Sequence, residues 1–125
     1  MVILDELNYE LYKCIDSDFI NENVIITDRQ IEHIKKGHPD SFEFVMDSLK
    51  KVLLEPDYIF KDKHPNTGLI VKKLDDSDRI VQVILRLLVE GDEPTFKNSI
   101  ISAWSISEKR LNSYLRNKEC LYNKD

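Results

Sequence analysis

Ile80-Val81-Gln82-Val83-Ile84-Leu85-Arg86-Leu87-Leu88-Val89 is the stretch on which the fold turns. Apolar residues occupy both alternating sets of positions, so a strand made from it buries both faces. That predicts a central strand. Three further strands are expected around it, at Tyr58 to Lys61, Leu69 to Leu74 and Ser99 to Ile106. The links between them are short and turn-like: His64-Pro65-Asn66, Asp75-Asp76-Ser77-Asp78, and Glu90 to Pro94. A parallel pair needs a long crossover, so links of this length predict a four-stranded antiparallel meander.

Helices precede the meander. Thr27-Asp28-Arg29-Gln30 has capping-box form, with a hydroxyl at the N-cap and Gln30 three residues later. Ile31 and Ile34 form the inner face, Lys35 and Lys36 fill the last turn, and Gly37 is expected to supply a left-handed stop. A second helix is expected from about residue 40 to 54. There Phe42, Val45, Met46, Leu49, Val52 and Leu53 repeat at helical spacing, and Pro56 ends the run. Val24 to Ile26 reads as a short strand. Residues 1–23 are poorly defined, with Val2 to Leu4 and Leu11 to Ile15 as short strands or a helical turn. A last helix begins near Ser107 and buries Leu111, Tyr114 and Leu115. The expected class is α+β in one domain, 1–125, with the helices on one face of the meander and a C-terminal helix closing it.

At 125 residues and 42% apolar, the chain can bury a core without disulfide or metal staples. Cys14 and Cys120 lie in no CxxC or zinc spacing and are expected as free thiols. No signal-like or membrane-length apolar run occurs, so a cytoplasmic location with no membrane partner is expected. Net charge is −5, which opposes indiscriminate binding to nucleic acid. Its distribution is uneven. Residues 1–28 hold seven acids and one base, whereas residues 97–118 hold five bases and one acid. The basic segment can meet phosphate, or it can be a solvated helix face.

Of three histidines, His38 stands between Gly37 and Pro39 at a rigid corner, which suits a proton-transfer group; the plainer reading is a helix-end cap. His33 lies mid-helix and His64 in a turn. Arg86 interrupts the central strand, and its guanidinium must meet a carboxylate, a phosphate or water. A salt bridge to an acid of the first two helices is the structural alternative. Strict alternation puts Ser102 and Trp104 on one side of their strand, with Ser99 and Ser105 on the other. Ser107 suits an N-cap, and Lys109 and Arg110 in the first turn oppose the helix dipole unless an anion binds there. No Gly-rich phosphate loop, GxSxG elbow, HExxH or paired-carboxylate metal spacing occurs, so neither metal nor cofactor is expected.

The stretch Ile26 to Pro39 resembles the opening helix of the phage-associated nucleases of the barnase–EndoU–colicin–RelE group. Glu55-Pro56-Asp57-Tyr58-Ile59, Pro65-Asn66-Thr67, Ser99 to Arg110 and Tyr114 to Lys118 match in the same order, so the resemblance spans roughly residues 24–122. It implies metal-independent RNA cleavage by 2′-hydroxyl attack. Such chemistry needs a base, an acid and cations for the phosphorane charge. Mapped onto this chain, His38 is the base or acid, and Arg86, Lys109 and Arg110 neutralise the phosphate. Ser105 joins them at the reacting group, and Asn66 and Thr67 hydrogen-bond the substrate. Tyr114 stacks a base or packs, and His33 is a supporting substrate contact. The implied partners are RNA, with tRNA and ribosome-associated RNA as candidates, and an inhibitor or immunity protein. The competing readings are a non-catalytic protein- or nucleic-acid-binding domain on the same fold, and a non-toxic nuclease that processes phage RNA.

Overall fold

The computed structural model describes residues 1–19, 22–74, 78–89, 92 and 97–125. The turns expected from Asp75 to Asp78 and from Glu90 to Pro94 fall largely outside these. The elements are β1 (Val2–Leu4), α1 (Tyr9–Tyr12), β2 (Val24–Ile25), α2 (Asp28–Gly37), α3 (Phe42–Leu54), β3 (Tyr58–Lys61), β4 (Thr67–Lys73), β5 (Ile80–Arg86), β6 (Asn98–Ile106), α4 (Glu108–Asn117) and β7 (Cys120–Asn123).

The α+β class is right, and the meander β3-β4-β5-β6 is present with antiparallel pairing throughout. The expected four strands are a subset, however. The sheet is mixed and seven-stranded in the order β1-β2-β6-β5-β4-β3-β7. β2 adds to β6 in parallel, and β7 folds back antiparallel on β3. Short segments such as Cys120–Asn123 carry too little pattern to declare a strand; the hydrogen-bonding edge of β3 recruits them.

The helices also divide between two faces, not one. α2 and α3 cover one side, where Ile34, Val45, Leu49, Val52 and Leu53 join Ile59, Ile70, Val81, Val83 and Leu85 in the main core. α4 lies on the other side, where Leu111 and Tyr114 pack on Phe60, Leu69, Val71 and Ile80. β5 is apolar on both faces because each receives a helix layer, at least in part.

Local chemistry explains the ends. Thr27 accepts from the Gln30 N–H at 3.2 Å while the Gln30 side chain accepts from the Thr27 N–H at 3.1 Å, completing the capping box. Gly37 closes α2 without adopting the left-handed conformation expected of it. His38 follows at φ −140, and Pro39 is the physical cause: the residue before a proline is driven out of the helical region. β5 stops at Arg86, not Val89, because Leu87 and Leu88 turn their backbone to asparagines. The Leu87 N–H donates to the Asn66 carbonyl at 2.8 Å, and the Leu88 N–H to Asn98 Oδ1 at 2.6 Å. Among the described residues, no helix is long and apolar enough to cross a membrane. Both cysteines are free thiols, as expected.

Candidate active site

Directly paired residues in neighbouring strands project to the same face. The register pairs Thr67 with Arg86, Ile84 with Ser102, Arg86 with Ser99, and Gln82 with Trp104, so all of these share the α4 face. α4 covers β3, β4 and the start of β5. The remainder of that face, over β6 and the end of β5, keeps Ile84, Arg86, Ser99, Ser102 and Trp104 half-buried and Ile101 exposed.

Strict alternation fails within β6. Ile84 pairs with Ser102 but Leu85 pairs with Ile100, leaving Ile101 as an extra residue. This β-bulge resets the phase, and Ser99 lands beside Ser102 and Trp104 instead of opposite them. Ser105 alone of these serines stays on the other face, opposite Val81, with its Oγ buried and without a hydrogen-bond partner among the described residues.

Arg86 ends β5 on this face. The alternative of a salt bridge to an acid of the first two helices is not realised; Nη2 lies 3.5 Å from both carboxylate oxygens of Asp92. Asp92 is occupied elsewhere too, accepting from the Val89 N–H at 3.0 Å. A guanidinium has five N–H donors, so one long contact among the described residues leaves most of its capacity for a ligand. Arg86 lines a cavity of about 330 Å³ with His64, Asn66, Thr67, Ile84 and Ile101.

Asn66 and Thr67 also line this cavity, but their polar groups are partly committed. Asn66 Nδ2 donates to the Leu87 carbonyl, and Asn66 itself takes φ 48, a left-handed turn conformation that asparagine tolerates. The Thr67 hydroxyl donates to the Pro65 carbonyl at 2.9 Å. Both therefore fix the turn against the end of β5 and so position Arg86.

His38 reaches the same sheet from another direction. β2 pairs with Asn98 and Ser99, and past Ser99 the outer edge of β6 carries no strand among the described residues. α2 packs against β6. Just beyond the end of α2, the His38 imidazole stacks on the Trp104 indole, 5.6 Å between centroids and 13° between planes. The Trp104 position is one strand over and four residues along from Arg86, roughly 13 Å at ~3.3 Å per residue. Farther along, Ile106 pairs with Ile80, and α4 starts roughly 20 Å of strand from Arg86. Lys109 and Arg110 are exposed there. Ser107 is the N-cap, its hydroxyl accepting from the Arg110 N–H at 3.0 Å, and Glu108 pairs with Lys73 at 3.5 Å. The expected groups thus lie in sequence along β6 instead of meeting at a point.

Two further residues fall elsewhere. The Tyr114 ring is buried, edge-on to Phe60 and capped by the Lys118 ammonium at 5.3 Å, so its faces are used within the protein. His33 is exposed on α2. His64 and Ile101, which sequence reasoning left aside, both line the Arg86 cavity. The signal for His64 was its place two residues before Asn66 in one tight turn. Ile101 had no signal, because its placement follows from the bulge. Among the described residues, no three His, Cys, Asp or Glu side chains cluster so as to hold a metal ion.

An accessible arginine at a strand end, an imidazole stacked at the sheet edge and exposed bases at a helix start are groups whose chemistry suits contact with phosphate. The chain matches the model of the phage-Barnase-EndoU-ColicinE5/D-RelE like nuclease2 family over residues 11–123, and it belongs to that nuclease family. No match was found among curated proteins or among solved structures.

Proposed function

We propose that this nuclease is an endoribonuclease that cleaves RNA without a metal ion, by attack of a 2′-hydroxyl on the adjacent phosphodiester to leave a cyclic phosphate. The observation that carries the reading is Arg86, held at a strand end in an open cavity with one long ion pair among the described residues. In that setting it neutralises the non-bridging oxygens as the phosphorane forms. His38, fixed on Trp104, passes a proton as base or acid. Lys109 and Arg110 meet phosphates farther along the strand. The net charge of −5 fits a narrow substrate set, such as a tRNA or a ribosome-associated RNA, better than bulk RNA binding. A phage or toxin-type effector of this kind is paired with an inhibitor or immunity protein.

Incubation with total RNA in EDTA tests the reading. Discrete fragments ending in cyclic phosphate are expected, and His38→Ala lowers turnover by roughly 10²–10⁴-fold with folding intact. Intact RNA under these conditions refutes the ribonuclease reading, and an unchanged rate removes His38 from the mechanism.

A further inference from the structure

The Arg86 cavity contains one group that no step above uses, His64. We propose that His64 is the general base that takes the 2′-hydroxyl proton at the phosphate held by Arg86, an inference that rests on the ribonuclease reading. Elimination within the cavity points to it. The Arg86 guanidinium offers donors and no acceptor, Asn66 and Thr67 carry no basic group, and Pro65, Ile84 and Ile101 are apolar walls. Among the described residues lining the cavity, His64 alone brings an imidazole, the side chain suited to general-base work. His38 stands at the Trp104 position, one strand away and roughly 13 Å along.

The turn that carries His64 is held by several hydrogen bonds. The His64 N–H donates to Asp62 Oδ2 at 3.1 Å, and the Asp62 N–H to the Thr67 carbonyl at 3.3 Å. Thr67 bonds Pro65, and Asn66 exchanges two hydrogen bonds with Leu87, the residue after Arg86. The backbone of His64 is thereby locked to the strand end that presents Arg86. An exposed imidazole on rigid backbone, next to a phosphate-binding guanidinium, has the support that proton transfer requires.

In the step, O2′ bonds to phosphorus as its proton passes to the neutral imidazole of His64. The P–O5′ bond breaks, and O5′ leaves as the alcohol after taking a proton from water, which the imidazolium of His38 resupplies through solvent. A cyclic phosphate and a 5′-hydroxyl result. The two histidines exchange their proton states, and solvent restores them. Arg86 offsets the added negative charge throughout.

The test compares wild type, His64→Asn and His38→Ala on one RNA substrate in EDTA, with affinity measured on a 2′-O-methyl RNA that cannot react. His64→Asn is expected to lose roughly 10²–10⁴-fold in turnover and to bind the 2′-O-methyl RNA as wild type does. Its pH–rate profile loses the acidic limb, His38→Ala loses the basic limb, and a third variant, His64→Ala, regains part of its rate when imidazole is added. A wild type that cleaves while His64→Asn stays within about threefold, or loses affinity as much as rate, overturns the role of His64 and leaves the ribonuclease reading standing. A wild type that leaves RNA intact overturns both.

Discussion

Replacing Arg86 by alanine separates catalysis from stability, because the structure gives the two effects very different sizes. In the folded protein Arg86 makes a 3.5 Å pair with Asp92, and their side chains are 35% and 21% exposed. A pair so long and so open to water contributes at most about 1 kcal/mol. With about 2.1 cal/mol/K of unfolding entropy per residue, 125 residues give roughly 0.26 kcal/mol/K, so Tm should fall by no more than about 4 K. Loss of a cationic donor to a developing phosphorane instead costs about 2.7–4 kcal/mol, a 10²–10³-fold drop in kcat. Arg86→Lys keeps the charge but loses the planar fork, so an intermediate rate is expected. Asp92→Asn removes the competing carboxylate and should tighten RNA binding several-fold, most visibly at low salt. Steady-state cleavage of a short RNA and thermal melts of the same four proteins measure all of this. Cleavage by Arg86→Ala within threefold of wild type, at equal Tm, would refute the reasoning, as would a melt lowered by more than about 10 K.

Two further perturbations probe the frame that holds the site. Asp57 accepts from the Lys73 N–H at 2.8 Å and faces the ammoniums of Lys124 at 3.0 Å and Lys72 at 3.6 Å, and Lys72 is buried. Asp57→Asn strands that buried ammonium and should cost about 3 kcal/mol, roughly 12 K in Tm, while the double change with Lys72→Met should recover most of it. Burial by itself pushes the Asp57 carboxyl up, but the Lys73 N–H and the two ammoniums together hold it below the ordinary carboxylate range. Its contribution is therefore complete above the unfolded value of about 3.9 and disappears as pH falls through the lower folded value. Acid titration of stability should show this slope in wild type and not in Asp57→Asn. Tyr12 is fully buried, with its phenol held far above its usual range chiefly by that burial, and its hydroxyl donates to the Leu53 carbonyl at 2.6 Å. Tyr12→Phe leaves that carbonyl unsatisfied at the end of α3 and should lower stability by about 1–2 kcal/mol in a denaturant melt; an unchanged midpoint would contradict this.

Legibility in the sequence followed the strength of local pattern. The capping box at Thr27, the apolar stripe of α3 and the four meander strands were plain, because each is specified by residues close in the chain. β7 and the split of helices between two faces were not. β7 exists through its pairing with β3, some 60 residues earlier, and no local periodicity records a partner that far away. At the candidate site the residue types were readable and their grouping was not. Arg86, Asn66 and Thr67 meet because β4 and β5 form a tight antiparallel pair, which the short links implied. Ser99 and Ser105 were assigned by an alternation that the bulge at Ile101 interrupts, and His64 was passed over because a turn residue gives no sign of what stands across from it. Arg86 itself announced its importance, since a guanidinium amid apolar neighbours requires an unusual setting.

The bulge in β6 has a consequence for how this protein tolerates changes in length. Ile101 is the spare residue: without it, Ile100 would still pair with Leu85 and point inward, and Ser99 would still sit beside Arg86. Shortening the strand there by one amino acid therefore preserves the orientation of every other side chain and strips away a single hydrophobic flank of the cavity. Elsewhere in the same strand, a one-residue excision would reverse inside and outside. Size variants at this spot would alter what the pocket admits and leave the scaffold as it is.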